Sequence, residues 1–284
     1  MPPPASSATV PALVPAFVPA LVPALEAICR RAGALILAVY DSNFSVRAKA
    51  DASPVTAADE AAERLIVPAL RALMPAHPVV AEEAAGRGEA PAVGRSFWLV
   101  DPLDGTREFV SRNGEFTVNI ALIEQGEAVL GVVYIPVQDR MFSGAVGQGA
   151  WVVEHGRRRA IRCRPLPAAG ATLACSRSHG DEALMAAWLQ GQTVAGRVTA
   201  GSSLKFGLIA AGEADLYPRF GRTMEWDTAA GHAVLAAAGG SVTDLAGAPL
   251  RYGKPGFENP HFIARGRAGS ALGSPPGSGQ GRGS

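Results

Sequence analysis

The stretch of sequence that decides the fold is Trp98-Leu99-Val100-Asp101-Pro102-Leu103-Asp104-Gly105-Thr106. The apolar run Phe97–Val100 predicts a buried strand, and we expect Pro102 to end it, because proline has a fixed φ and no backbone N–H. Two carboxylates, Asp101 and Asp104, follow at a spacing of three. The glycine after them lets the backbone approach a ligand closely. The end of this strand is therefore a candidate site for divalent metal ions and a phosphate group.

The composition is that of a globular protein with a large core and little net charge. Of the 284 residues, 48% are apolar and 18% are charged, and the formal net charge is +1. A nucleic acid polymer usually requires a strong basic surplus in its partner, so none is expected here. The three cysteines, Cys29, Cys163 and Cys175, show neither metal-ligand spacing nor a disulfide framework. This pattern is typical of inert thiols in a reducing cytosol.

Both ends of the chain differ in composition from its body. A repeat that begins at Pro11 places a proline at every fourth position and predicts an extended, low-complexity segment over residues 1–24. This segment lacks the basic region of a signal peptide, and no apolar stretch is long enough to span a membrane. A chain that starts at Leu25 should therefore keep its stability and activity. Residues 266–284 are rich in Gly and Ser, which predicts disorder.

The first half of the body combines helices with antiparallel strands. Helical periodicity covers Leu25–Val39 and Ala57–Leu73, and Pro68 is expected to kink or interrupt the second helix. Alternating apolar runs over 116–135 and 141–153 predict hairpins, the first of them turning at a Gln-Gly pair.

In the second half, strand and helix patterns alternate up to a helix that ends at Gly239-Gly240. The change of pattern falls near residue 155. We therefore expect an α+β fold of layered helices and sheets in two closely packed subdomains. The first, over 25–155, would carry most of the metal ligands, and the second, over 156–265, would be of α/β type.

Three more acidic segments are candidates to join Asp101 and Asp104. They are Asp59 in the first turn of a predicted helix, the pair Glu82-Glu83 after a short apolar run, and Asp227 at the start of a small-residue helix. Each also has a simpler explanation, since aspartate often caps helices or occupies turns, and glutamate pairs in loops are usually solvated. The residues alone leave both interpretations open.

The spacing of Asp101 and Asp104 argues against one class of phosphatase. Enzymes that form an aspartyl-phosphate place two aspartates two residues apart after a strand, whereas here they are three apart. The chain also has no nucleophile-elbow serine and no arginine-bounded cysteine loop. An activated water is therefore favoured over a carboxylate as the nucleophile.

Several motifs occur together in a fixed order. The first three are Glu82-Glu83, then Asp101-Pro102-Leu103-Asp104-Gly105-Thr106, then Trp226-Asp227-Thr228-Ala229-Ala230-Gly231. With them the chain resembles the inositol monophosphatase superfamily of magnesium-dependent, lithium-sensitive phosphatases. A finer resemblance, to its branch of 3'(2'),5'-bisphosphate nucleotidases, rests on four segments: Asn113–Ile123, Ser176–His179, Gly201–Lys205 and Tyr217–Gly221. The resemblance covers residues 25–264, and its departures at Ala81 and Arg107 remove no side-chain ligand.

The resemblance implies a layered αβαβα sandwich with two or three Mg²⁺ ions per active site. The carboxylates of Glu82, Asp101, Asp104 and Asp227 and the backbone carbonyl of Leu103 would hold these ions. Hard oxygen ligands of this kind are what Mg²⁺ prefers.

The resemblance also assigns roles in catalysis and phosphate binding. Asp59 and Thr106 would form a relay that takes a proton from the attacking water. The backbone N–H groups of Gly105 and Thr106 would hold the phosphate. The residues that would contact the substrate as well as the metal are Glu82, Leu103, Asp104 and Asp227.

The positions that would distinguish a nucleotide from other phosphate esters are His179, Gly201, Lys205 and Arg219. Lys205 and Arg219 would supply cations for a 5'-phosphate, and His179 would pack on the adenosine or hydrogen-bond to it. Each of the two residues also has a simpler interpretation. Lys205 could be a solvated surface residue, as most lysines are, and His179 could merely lie beside the start of a helix without contacting a ligand. The run Arg157-Arg158-Arg159 has the pattern of a solvated hairpin edge.

The expected activity is therefore Mg²⁺-dependent removal of the 3'-phosphate from adenosine 3',5'-bisphosphate, giving AMP and phosphate. The resemblance ties this reaction to sulfur assimilation and makes adenosine 3'-phosphate 5'-phosphosulfate a second substrate. Two rivals stay open: an inositol-phosphate or sugar-phosphate phosphatase, and a catalytically silent nucleotide-binding protein. A cytoplasmic location is expected, with contact at the inner face of the cell membrane as the alternative, and the oligomeric state stays open.

Overall fold

Helices and strands make up most of the computed structural model, which describes residues 18–42, 46–48, 54–176 and 182–267. The α-helices of these ranges are α1 (Val22–Tyr40), α2 (Ala57–Leu73), α3 (Glu82–Gly86), α4 (Thr106–Val110), α5 (Glu182–Leu189), α6 (Leu204–Ala210) and α7 (Glu225–Ala237). The strands are β1 (Val46–Ala48), β2 (Pro54–Thr56), β3 (Val79–Ala81), β4 (Ser96–Asp104), β5 (Thr117–Glu124), β6 (Glu127–Ile135), β7 (Arg140–Ala145), β8 (Gly149–Glu154), β9 (Arg157–Ile161), β10 (Ala171–Cys175), β11 (Val194–Thr199), β12 (Leu216–Arg219), β13 (Ser241–Asp244) and β14 (Phe262–Arg265).

The larger sheet has seven strands in the order β3-β4-β5-β6-β7-β8-β9. The pair β3–β4 is parallel and the other neighbours are antiparallel, as the hairpin patterns predict. The β5–β6 hairpin turns at Gln125 and Gly126, whose φ angles are 53° and 80°. Two positive φ angles in a two-residue turn match the twist of the flanking strands. The exposed residues Arg157–Arg159 lie on the edge strand β9, which confirms their interpretation as a solvated edge.

The smaller sheet has five strands in the order β11-β10-β12-β14-β13. β10 is parallel to both β11 and β12, while β14 is antiparallel to β12 and β13. Consequently Arg219, at the end of β12, lies beside Phe262, and Leu216, at its start, lies beside Arg265. The two ends of this sheet therefore carry different sets of side chains.

Helices and sheets stack in five layers. α1 and α2 pack on one face of the seven-stranded sheet, and α7 packs on β5, β6 and β7. α6 and α7 contact each other and the five-stranded sheet. Trp188 and Leu189 of α5 pack against Leu173 and Leu216 of the smaller sheet. The predicted αβαβα sandwich is confirmed.

The close fit of α7 on the larger sheet depends on a glycine. A Cβ at Gly131 of β6 would lie 2.2 Å from the carbonyl oxygen of Ala230. Any side chain at this position would push α7 away from the sheet. This packing also fixes the distance of Asp227, near the start of α7, from the sheet.

The prediction that Pro102 ends the strand is wrong. β4 continues through it to Asp104, and the pairing with β5 shifts register between Asp101 and Asp104. A proline is tolerated there because a bulge removes the need for its missing N–H.

Two other expectations about prolines need correction. α2 is not interrupted at Pro68, which faces solvent while Ile66 and Leu70 are buried on either side of it, and the alternative of a kink stays a prediction. Packing of an amphipathic face can hold a helix that propensity alone would break. The extended segment predicted up to residue 24 is also wrong for its last part, since a 3₁₀ helix covers Val18–Leu21 and α1 begins at Val22.

The short strands β3, β13 and β14 were not predicted, and the subdomain boundaries stay predictions. Within the described residues, no helix is both long and apolar enough to cross a membrane.

The three cysteines form no disulfide, and burial raises the pKa of the Cys163 thiol to about 11. Such a thiol stays protonated at neutral pH, in agreement with the expected inert role.

Candidate active site

The end of β4 brings two carboxylates into one cleft. Asp101 is 1% exposed, and its Oδ1 accepts a hydrogen bond of 3.1 Å from the backbone N–H of Leu103. After the register shift, Asp104 pairs with Thr117 of β5. Asp101, Leu103 and Asp104 all line the cleft. The local motif therefore brings Asp101, Leu103 and Asp104 together at one cleft, and their role as metal ligands stays a prediction.

Gly105 lies where the end of β4 touches the loop before α6. Its φ is +91°, and a Cβ there would lie 2.1 Å from Oγ of Ser202. This hydroxyl donates a hydrogen bond of 2.9 Å to the carbonyl oxygen of Asp104. Thr106 begins α4 immediately afterwards and also lines the cleft. Glycine is required here both by the backbone conformation and by the close approach.

Ser203 connects two acidic segments that are far apart in sequence. Its backbone N–H donates a hydrogen bond of 2.7 Å to Oδ2 of Asp104. Its hydroxyl lies 3.1 Å from the same oxygen and 2.6 Å from the carbonyl oxygen of Asp227. The amide of Asn119 donates to the Ser203 hydroxyl at 3.1 Å. This polar network holds the end of β4 against the start of α7.

Asp227 and Glu82 enter the cleft from two helix starts. Oδ2 of Asp227 accepts a hydrogen bond of 2.8 Å from the backbone N–H of Met224, just before α7. Its role as a helix cap, left open by the sequence, is thus confirmed, and it lines the cleft as well. Glu82 is the first residue of α3 and lines the same cleft.

Asp59 lies in the first turn of α2 and is fully buried. It is not one of the residues that line the cleft. Its charge nevertheless contributes to raising the pKa of Asp101, so it lies within electrostatic reach of the site. The structure therefore places it behind the carboxylates of the cleft.

The acidic cluster carries more negative charge than its surroundings neutralise. Burial and the neighbouring carboxylates, with Glu82 foremost for Asp101 and Asp104 for Asp227, raise the pKa of Asp101 and of Asp227 well above the ordinary value. Burial also raises the pKa of Asp104 to about 6, although Lys205 opposes this. Grouped carboxylates with raised pKa values are typical of functional sites.

The donor set fits a hard divalent cation. In the described parts of the chain, no three His, Cys, Asp or Glu side chains form a metal cage by themselves. Mg²⁺ does not require such a cage, because it keeps several waters and binds through one or two carboxylates together with substrate phosphates. Buried oxygen donors with excess negative charge, as found here, match that mode of binding.

Lys205 is a buried cation and not the solvated surface residue of the simpler interpretation. It is 3% exposed, and its Nζ donates hydrogen bonds of 3.0 Å to the carbonyl oxygen of Ala200 and 2.6 Å to that of Ser202. It also lies 5.1 Å from the centre of the Tyr217 ring. Burial lowers the pKa of Lys205 to about 8, while Asp104 acts in the opposite direction.

Of the other three positions predicted to contact a nucleotide, two line the cleft and one lies outside the described residues. Arg219 lines the cleft at the end of β12, and its guanidinium donates a hydrogen bond of 3.1 Å to Oγ of Ser176. Gly201 lines the cleft, and its backbone N–H donates a hydrogen bond of 2.8 Å to Oε2 of Glu115. His179 lies outside the described residues. Arg219 and Lys205 therefore line the same cleft as the carboxylates.

The cleft has a volume of about 240 Å³. It also contains polar residues that were not predicted as site residues, namely Arg107, Glu108, Ser176, Ser202, Tyr217, Thr223 and Thr228. Ser176, Ser202 and Tyr217 lie inside segments that carry the family resemblance, so those segments were the available signal. Nothing in the sequence marked Glu108 or Thr223.

Comparisons with known proteins show what this chain is similar to. The sequence profile of the inositol monophosphatase family matches residues 20–270. The chain is 50% identical over 244 residues to the 3'(2'),5'-bisphosphate nucleotidase CysQ of Escherichia coli K12, covering 84% of this chain and 98% of that protein. The CysQ of Buchnera aphidicola is 43% identical over 249 residues, covering 84% and 92% of the two chains.

Solved structures show the same fold. The crystal structure of CysQ from Bacteroides thetaiotaomicron matches with a TM-score of 0.73 and 35% identity, covering 89% of this chain and 98% of that one. The inositol monophosphatase of Anabaena sp. PCC 7120 matches with a TM-score of 0.68 and 25% identity, covering 88% and 91%. The structural similarity thus extends over most of this chain.

Proposed function

Because the chain belongs to the inositol monophosphatase family, we propose that its cleft hydrolyses the 3'-phosphate of adenosine 3',5'-bisphosphate to AMP and phosphate. It is then a phosphoric monoester hydrolase of the 3'(2'),5'-bisphosphate nucleotidase type. The 50% identity to a CysQ enzyme supports this choice over other members of the family. Adenosine 3'-phosphate 5'-phosphosulfate is a second substrate, and the expected link to sulfur assimilation and the cytoplasm follows from the same proposal.

The observation that carries the proposal is that one cleft holds both a cluster of carboxylates and two cationic side chains. Asp101, Asp104 and Asp227 line this cleft together with Lys205 and Arg219. A substrate with two phosphates needs both kinds of group: carboxylates that recruit cations around the reacting phosphate, and fixed cations for the second phosphate. An inositol monophosphate would leave Lys205 and Arg219 without a second phosphate to bind.

The metal would be held by the carboxylates of Glu82, Asp101, Asp104 and Asp227 and the carbonyl oxygen of Leu103. Two or three Mg²⁺ ions are proposed on this donor set, because one ion would leave much of the buried negative charge unbalanced. When bound, Mg²⁺ neutralises phosphate charge and makes a water molecule more acidic.

The residues of the chain would position the reacting groups and move one proton. Thr106 would accept a proton from the attacking water and pass its own hydroxyl proton to the carboxylate of Asp59, so that Asp59 finally holds the proton. The backbone N–H groups of Gly105 and Thr106 would hold the phosphate oxygens as negative charge develops on them. The hydrogen bonds of Ser203 to Asp104 and Asp227 keep both carboxylates in place during this step.

Two alternatives remain distinct in their predictions. An inositol-phosphate or sugar-phosphate phosphatase would use the same carboxylates without needing Lys205 or Arg219. A catalytically silent nucleotide-binding protein would bind the bisphosphate tightly without turnover. The filled set of carboxylate and threonine positions favours an active enzyme over the silent protein.

The proposal is tested by phosphate release from adenosine 3',5'-bisphosphate and from inositol 1-phosphate, measured side by side with Mg²⁺, with and without millimolar Li⁺. We expect a preference for the nucleotide and inhibition by lithium. The Asp104→Asn variant should lose activity by orders of magnitude with its fold intact, as judged by circular dichroism. Preference for inositol 1-phosphate would overturn the choice of substrate, and nucleotide binding without turnover would support the silent protein.

A further inference from the structure

A second cleft lies at the opposite end of β12 from the catalytic cleft. Arg219, at one end of the strand, lines the catalytic cleft, while Leu216, at the other end, lines the second one beside Arg265 of β14. The second cleft has a volume of about 230 Å³, close to that of the catalytic cleft. We call it the rear cleft; its polar lining consists of Arg164, Asp215, Ser241, Arg265 and Arg267.

The single carboxylate of the rear cleft is already neutralised. Asp215 is 4% exposed, and both of its oxygens accept hydrogen bonds from Arg164, at 2.8 and 2.7 Å. The backbone N–H of Thr172 donates to Asp215 as well, at 2.8 Å. A bidentate pair of this kind is strong and fixed in geometry. Asp215 therefore leaves the other two arginines of the cleft without a counter-charge.

Arg265 and Arg267 form no ion pair with any described residue. Arg265 donates one hydrogen bond of 3.2 Å to the hydroxyl of Thr243, and its guanidinium lies 5.9 Å from the centre of the Trp188 ring. Burial lowers the pKa of Arg265, yet a guanidinium remains protonated at neutral pH. Arg267 is exposed at the mouth of the same cleft. Two positively charged side chains thus line one concave surface.

The nearby end of α7 does not account for these arginines. Cations often lie at helix C-termini, where the last carbonyl groups lack partners. Here the N–H groups of Gly239 and Gly240 donate to the carbonyls of Ala236 and Leu235, at 3.0 and 2.9 Å. The carbonyl of Ala238 accepts from Cys163 at 3.0 Å. These carbonyl groups are satisfied by backbone N–H groups, so they do not require the arginine side chains as donors.

We propose that the rear cleft is a second anion-binding site, which takes a tetrahedral oxyanion through Arg265 and Arg267. The ligand is a phosphate or sulfate, either free or as the end group of a small ester. Guanidinium groups bind such anions through paired N–H donors.

The site is tested by titration of the full-length protein in EDTA, so that metal-dependent binding in the catalytic cleft is suppressed. The probes are inorganic sulfate and glycerol 3-phosphate, followed by isothermal calorimetry and by tryptophan fluorescence, since Trp188 touches Arg265. Sulfate should bind to the wild-type protein at constant ionic strength. Tighter binding of glycerol 3-phosphate would identify an organic ester as the ligand, and tighter binding of sulfate a free oxyanion.

Variants separate the rear cleft from other cationic sites. Arg265→Gln and Arg267→Gln should each weaken binding by about tenfold or more, since each removes a charge-assisted hydrogen bond. Arg71→Gln on α2, with the same loss of charge, should leave the affinity unchanged, and Arg219→Gln reports any binding of the probe in the catalytic cleft. Because Arg267 is exposed, its variant should fold normally even if Arg265→Gln does not. Equal loss in Arg71→Gln and Arg267→Gln, or loss confined to Arg219→Gln, would overturn the proposal.

Discussion

The backbone N–H of Glu83 donates a hydrogen bond of 2.9 Å to Oε2 of Glu63, a buried carboxylate of α2. The N–H of Ala84 lies 3.4 Å from the same oxygen, and Arg87 lies 3.4 Å from Oε1. These contacts hold the first turn of α3, which carries the proposed metal ligand Glu82. Glu63 is therefore expected to position Glu82 without touching the substrate.

Glu63→Ala should raise the Mg²⁺ concentration needed for half-maximal activity by about tenfold or more, since residues that orient metal ligands have effects of that size. High Mg²⁺ should restore much of the turnover. Glu63→Gln, which keeps an acceptor oxygen, should be milder. A lower melting temperature with an unchanged Mg²⁺ requirement in both variants would show a purely structural role.

Gly105→Ala should reduce kcat by about two orders of magnitude, because a displacement on the order of 1 Å at a catalytic loop can have that effect. The added Cβ would meet Oγ of Ser202 at 2.1 Å. Gly147→Ala is the matched control, since Gly147 has a φ of +79° with no atom within 4 Å of its Cβ. Both variants carry the backbone strain, and the first alone carries the steric clash. Similar activities in the two would contradict the assignment.

Lys205→Met should lower kcat/KM for adenosine 3',5'-bisphosphate by about ten- to a hundredfold, the worth of a charged hydrogen bond. It should change kcat/KM for adenosine 3'-monophosphate much less, because that substrate has no 5'-phosphate. The ratio of the two kcat/KM values does not depend on the fraction of folded protein, because both substrates are measured on the same preparation. An equal fall for both substrates would place the role of Lys205 at the reacting phosphate or in the fold.

The stability of the protein should depend on pH through His232. Its Nδ1 lies 2.9 Å from the hydroxyl of Tyr252, and burial lowers the pKa of His232 to about 4. Between pH 6.5 and 4 the unfolded chain binds a proton at His232 that the folded chain does not bind. The contribution of His232 to the free energy of unfolding is therefore complete above pH 6.5 and is lost as the pH falls towards 4. Urea unfolding at pH 7, 5.5 and 4.5 should therefore show a smaller acid-side loss in His232→Asn than in the wild type. Equal losses of the free energy of unfolding in the variant and the wild type would contradict this role of His232.

Truncation separates the buried part of the N-terminal repeat from the rest. Val18 is 0% exposed and Val22 is 4% exposed, and both belong to the core between α1 and the larger sheet. In a chain that starts at Leu25, the free energy of unfolding should fall by about 1.5–3 kcal/mol for each buried valine that is removed. A chain starting at Val18 should keep the wild-type melting temperature. Equal melting temperatures for the two truncations would restore the expectation of a dispensable segment.

Local sequence patterns were sufficient for the long elements of the fold. Helix periodicity located α2 at its observed bounds, and the Gln125-Gly126 pair located a hairpin. The four-residue strands β13 and β14 are too short to show a period, and their pairing is set by contacts distant in sequence. The role of Pro102 depended on a register shift, which only the pairing of β4 with β5 reveals.

The site was predictable where a motif is contiguous and less so where it is assembled in space. Asp101, Asp104 and Gly105 act within a few residues of one another. The burial of Lys205 could not be read from its own segment, because it results from Tyr217 and the Ala200–Ser202 turn folding around its side chain. Ser203 was overlooked for the same reason, since its partners come from three different elements.

The link between Ser203 and Asp104 also sets when the enzyme can begin to work in the course of its own synthesis. The two residues are 99 positions apart. At about 5–20 residues per second, the ribosome makes Ser203 roughly 5–20 s after Asp104, and α7 later still. Until then the nascent chain carries clustered carboxylates without the loop that fixes them. Appearance of activity during translation would therefore report completion of nearly the whole chain.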